Sequence, residues 1–136
     1  MSKKILFIIF FLLTLVISLT LVFQTIIFSN KAAYYSNNTP ILKNSYLFAS
    51  PLQANTKIQE KIRVTVFILD NQGLGVANQT VSVLPHPNLN IENIQPTTNE
   101  VGQAVFNLSS STPGKYIIQA QLGSSQIPQS ISITFF

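Results

Sequence analysis

The chain has 136 residues, a formal net charge of +4, one histidine and no cysteine, so disulfides and thiolate metal sites are excluded. Only 9% of it is charged, against roughly 25% in an average globular domain. Lys3, Lys4 and Lys31 supply most of the basic excess, and cations gathered around one hydrophobic run are not the one-faced basic patch that nucleic-acid binding needs.

That run comes first. Between Ile5 and Asn30 there is no charged residue, and within residues 5–28 only Thr14, Ser18, Thr20, Gln24 and Thr25 are polar. A bilayer core about 30 Å thick takes roughly 20 apolar residues in helix. Residues 1–30 are therefore read as a signal-anchor, with a transmembrane helix over about 5–28 and the lipid bilayer as its partner. A cleavable signal fits less well. Its apolar region is short, and a cut after Ala33 would put Lys31 where a small residue is wanted. Lys3 and Lys4 place the N-terminus inside and the rest of the chain outside the cytoplasm. Tyr34 and Tyr35 either seat in the headgroup layer or begin a loop.

Residues 31–44, with Asn37, Asn38, Thr39 and Pro40, read as a juxtamembrane linker. Beyond it the hydrophobic period is two. An early strand is expected over Tyr46–Ala49. In Ile62–Leu69, Ile62, Val64, Val66 and Ile68 alternate with Arg63, Thr65, Phe67 and Leu69, and Asp70-Asn71-Gln72-Gly73 makes a turn. Gln79–Leu84 is a strand ended by Pro85 and Pro87. His86–Asn99 is irregular, with one short strand around Ile91–Ile94. Then come Gln103–Leu108, Lys115–Leu122 and Ser130–Phe135, separated by turns at Asn99–Gly102, Thr112–Gly114 and Gly123–Ser125. About seven short strands and no helical period after residue 30 predict an all-β fold, an antiparallel sandwich over 45–136. The expected inward set is Val64, Val66, Ile68, Val81, Val83, Phe106, Leu108, Tyr116, Ile118, Ile131 and Ile133, with Phe135 buried and Phe136 partly exposed. Tyr116 reads as a plain core tyrosine or as a tyrosine corner.

Three segments in order carry a family resemblance. They are Val64–Gly73 running into Val76–Val81, Thr97–Phe106, and Thr112-Pro113-Gly114-Lys115-Tyr116, with Ala49-Ser50-Pro51 upstream. Together they resemble the bacterial Ig-like domains of group 1, the invasin/intimin type, over about 45–136. The resemblance implies an Ig-like β-sandwich with a binding or adhesion role. The carboxypeptidase-regulatory-like or transthyretin-like sandwich shares these elements, but the early strand at Tyr46–Ala49 favours the invasin type. Invasin-type domains usually stand in tandem on an outer-membrane β-barrel, whereas here one copy follows a helical anchor.

No catalytic constellation is legible. Glu60, Asp70, Glu92 and Glu100 fall in separate loops or strand starts, and His86 lies alone between two prolines. The chain is expected to be no enzyme, with no metal and no cofactor. The candidate contact surface is the long loop Pro85–Pro96 with Leu89, Ile91 and Ile94. The expected function is a single-pass cell-membrane protein that displays one extracytoplasmic Ig-like domain, with another envelope or surface protein as its partner. The alternatives are an accessory subunit of a membrane complex and a secreted binding module.

Overall fold

The computed structural model describes residues 3–33 and 39–136. Tyr34, Tyr35 and linker residues 34–38 lie outside the described residues. The chain divides into two units, 1–37 and 38–136.

The first unit is the helix α1 (Lys3–Ala33). Its stretch Lys3–Gln24 is long and apolar enough to cross a membrane by length and composition. Two hydroxyls in it turn back onto its own backbone: Thr14 Oγ1 donates to Phe11 O at 2.9 Å and Thr20 Oγ1 to Ile17 O at 2.8 Å. A polar side chain that bonds within its own helix is tolerated in an apolar surrounding.

The second unit holds eight strands: β1 (Tyr46–Ser50), β2 (Gln53–Ala54), β3 (Ile62–Phe67), β4 (Val81–Val83), β5 (Asn90–Gln95), β6 (Gln103–Ser109), β7 (Gly114–Leu122) and β8 (Ser125–Phe135). They form two four-stranded sheets, ordered β1-β3-β6-β5 and β2-β8-β7-β4. All pairings are antiparallel except β2 with β8. The alternating pattern sets the core. In β6, Ala104, Phe106 and Leu108 are buried and their neighbours are not. Across the gap Tyr116, Ile118 and Ala120 of β7 meet them, with Ile133 and Phe135 of β8 in the same cluster. A large apolar side chain buried in this way contributes about 1.5–3 kcal/mol.

Three points depart from the sequence reading. The strand count is eight rather than about seven, because the two-residue β2 was too short to show a period. The chain passes from the first sheet to the second between β1 and β2, and β2 then runs parallel to the end of β8 (Gln53↔Thr134, Ala54↔Phe135). The last strand starts at Ser125, not Ser130, and brings Ile127 into the core. Pro128 hid that start, since proline is tolerated in a strand only at an edge or an irregularity; here it falls where the β7–β8 register shifts. The short strand expected around Ile91–Ile94 is present as β5, one residue longer at each end. Ile131 is half-buried against the core rather than within it. Phe135 is buried and Phe136 is 57% exposed, as expected.

The N-terminal pole is a close crossing of two loops. Ile68 N donates to Gly102 O at 2.8 Å, and Val76 N donates to Ile68 O at 2.9 Å. Gly102 has φ +74°, and a Cβ there would collide with the Ile68 carbonyl. A Cβ on Gly75 would run into the backbone of Val101. Asp70, 3% exposed, shapes the first loop: its Oδ1 accepts from Gln72 N and Leu74 N, both at 2.8 Å. Asn99 shapes the second, with Oδ1 accepting from Val101 N and Gln103 N at 3.1 and 3.0 Å. Thr98 ties the 76–79 segment to this loop, accepting from Gln79 N and donating to Val76 O.

At the C-terminal pole Tyr116 is a corner, not a plain core residue. Its hydroxyl donates to Thr112 O at 2.7 Å and lies 3.3 Å from Ser110 Oγ. Its ring packs edge-on against Phe135, with centroids 5.9 Å apart.

Candidate interaction surfaces

The alternation that builds the core also decides what the outer faces show. On the first sheet, Tyr46 stands opposite Phe67, and Phe48 opposite Thr65. These are the outward positions of β1 and β3, and three of the four are aromatic. The Tyr46 and Phe67 rings stack at 5.3 Å, and Phe48 and Phe67 at 6.2 Å. Tyr46 and Phe48 stay 41% and 45% exposed, while Thr65, between Phe48 and Val105 in register, is 4% exposed. Arg63 follows two residues before Thr65 on the same face and reaches Asn107 Oδ1 at 3.4 Å. The surface is thus a row of three rings with a guanidinium at its end. Aromatic and arginine side chains are the groups enriched at the energetic centres of protein interfaces. Sequence reasoning passed over this strip. The available signal was aromatic residues at outward positions, Tyr46, Phe48 and Phe67, where a solvated sheet face carries polar ones.

The loop chosen from sequence is placed differently. Leu89 and Ile91 are partly buried and pack against the core cluster. Ile94 alone of the three is open, at 48% exposure. The three do not form one apolar patch. β5 is an edge strand of the first sheet, with β6 its sole neighbour. Glu92 lies on it and pairs with Lys61 Nζ at 2.7 Å. The hydrogen bond from Lys61 and its charge hold the Glu92 carboxyl below the usual carboxylate range. A charge and the register irregularity between Asn93 and Gln95 are the ordinary protections of an edge strand.

The other chemistry-bearing residues are scattered. Glu60 Oε2 accepts from Asn55 N at 2.7 Å, Asp70 is buried closing its own loop at the N-terminal pole, and Glu100 is exposed on the second turn of that pole. His86 is exposed; its Nδ1 accepts from Asn88 N at 3.3 Å, and its ring meets Tyr116 edge-on at 5.0 Å. Among the described residues no three of the His, Asp and Glu side chains gather in one place.

This architecture defines a class: an Ig-like β-sandwich in which side-chain chemistry is spent on loops and exposed faces. The family model for the bacterial Ig-like domain (group 1) matches residues 44–136, and the chain belongs to that family. Solved structures agree on the fold. The D00-D0 domain of intimin superposes with TM-score 0.60 at 21% identity, over 75% of this chain and 49% of that one. Invasin, described as a bacterial integrin-binding protein, gives 0.64 at 18% identity, over 74% and 20%. The Yersinia pseudotuberculosis adhesin InvE gives 0.62 at 18% identity, over 73% and 28%. The chain therefore spans half or less of the length of these structures. Comparison with curated proteins finds no match.

Proposed function

We propose that the chain is a non-catalytic, single-pass membrane protein that displays its Ig-like domain outside the cytoplasm and binds another envelope or surface protein. The apolar helix α1 ahead of an Ig-like domain carries this reading. Lys3 and Lys4 on the N-terminal flank give the orientation. The likeness to intimin, one fragment of which is described in complex with the intimin-binding domain of its translocated receptor, supports a protein partner.

The contact surface is the outer face of β1 and β3. Tyr46, Phe48 and Phe67 are the aromatic anchors, and Arg63 is the charged neighbour. The β5 side, where Ile94 is exposed, is a lesser contact. Rigid rings already stacked on each other lose little conformational freedom when a partner covers them.

The test is a photo-crosslinking residue placed at Phe48 in the full chain in living cells, with a second at Ile117. Ile117 is also exposed but lies on the other sheet. A discrete protein adduct from position 48 and none from 117 supports the reading. Equal adducts from both, or none from either, contradicts the strip.

A further inference from the structure

A cleft of about 410 Å³ opens at the C-terminal pole between the 87–90 and 109–112 segments, with Gln59 at its rim. Its walls are fixed. Ser110 Oγ lies 2.8 Å from Asn88 O and 2.9 Å from Thr112 O, and it accepts from Thr112 N at 3.0 Å. Leu89 N donates to His86 O at 3.0 Å, and the Tyr116 hydroxyl holds Thr112 O from beneath. One buried serine thus ties the two walls together.

The side chains facing this cleft contrast with Ser110. Gln59, Asn88, Asn90, Ser109, Ser111 and Thr112 line it. None of their side-chain amides or hydroxyls bonds to another group among the described residues. No charged residue lines the cleft; Leu89 and Pro87 are its apolar members. Neutral donors and acceptors beside a small apolar surface suit a ligand that is polar throughout, carries no charge and has C–H faces. A charged group would find no counter-charge in this lining.

We propose that this cleft is a binding subsite for a neutral saccharide unit. Amides and hydroxyls exchange hydrogen bonds with sugar hydroxyls, which both donate and accept, while Leu89 and Pro87 take a ring face. The subsite is separate from the Tyr46–Phe67 strip, and neither depends on the other.

The experiment titrates the full chain in detergent micelles with maltotriose, cellotriose and chitotriose. Sialyllactose serves as a charged control and an uncharged Gln/Ser peptide as an extended-chain control. Amide NMR shifts are the readout. A neutral trisaccharide should give saturable shifts confined to Gln59, Asn88–Asn90 and Ser109–Thr112. The double variant Asn88→Ala, Ser111→Ala should weaken binding about tenfold, the loss of two hydrogen bonds, with an unchanged melting temperature. Phe48→Ala should leave the titration as it was. Absence of shifts with all three trisaccharides, shifts outside the cleft, indifference to the double variant, or shifts with the peptide alone would each overturn the proposal.

Discussion

Thr98 and Val76 are joined by a buried hydrogen bond: Thr98 Oγ1 donates to Val76 O at 2.7 Å, and the same oxygen accepts from Gln79 N at 2.8 Å. Thr98 is 3% exposed, so Val76 O has no ready access to water in its place. Thr98→Val keeps the shape and strands a buried carbonyl and a part-buried amide. It should cost about 1–3 kcal/mol, read as a melting temperature lowered by about 4–8 °C per kcal/mol for a domain of this size. Thr97→Val, exposed next door, should change it little.

Gly102→Ala tests the crossing of the two N-terminal loops. The left-handed backbone costs an added Cβ about 1–2 kcal/mol, and the collision with the Ile68 carbonyl adds to that. Gly73→Ala is the control. Gly73 has φ +79° with open space around its Cβ direction, so it should carry the backbone cost alone. Chemical denaturation of both variants should rank Gly102→Ala clearly lower.

Tyr116→Phe removes the hydroxyl that holds Thr112 O and leaves the ring packing against Phe135 intact. The expected loss is about 0.5–1.5 kcal/mol. Hydrogen exchange should show greater opening at residues 109–114 and little change at the Gly102 pole.

The Lys61–Glu92 pair is exposed, so its effect is small and screened by salt. Glu92 titrates below its usual range when folded. Its stabilising effect is therefore present above the unfolded carboxylate pKa and lost as pH falls through the lowered folded value. Melting curves of Glu92→Gln and the parent should differ slightly at neutral pH in low salt. They should converge in acid or at high salt.

Much of the sandwich could be read from periodicity. Where a strand buries one face, as in β3, β6 and β7, every second residue is apolar, and Val64, Phe106 and Ile118 all proved buried. Legibility failed where period gave way to local geometry. β2 is two residues long, and Pro128 interrupts β8 as the register shifts. Tyr116 as a corner depends on the distance to Thr112 O, which spacing alone does not give. The aromatic strip was missed for another reason. Apolar residues in a loop, such as Leu89 and Ile91, are noticed in sequence, yet their packing is decided by tertiary contacts. Tyr46, Phe48 and Phe67 looked like ordinary strand residues. Only the β1–β3 register brings their rings together on an outward face.

The most direct test of the central claim is protease shaving of intact cells that express the full chain with a C-terminal tag, paired with alkaline extraction of the membranes. The expected result is a full-length product that resists extraction, with the tag removed by protease from intact cells or, if an outer envelope shields it, once that envelope alone is opened. A tag protected until the cytoplasmic membrane itself is broken, or a soluble product shortened by the length of the helix, would contradict it.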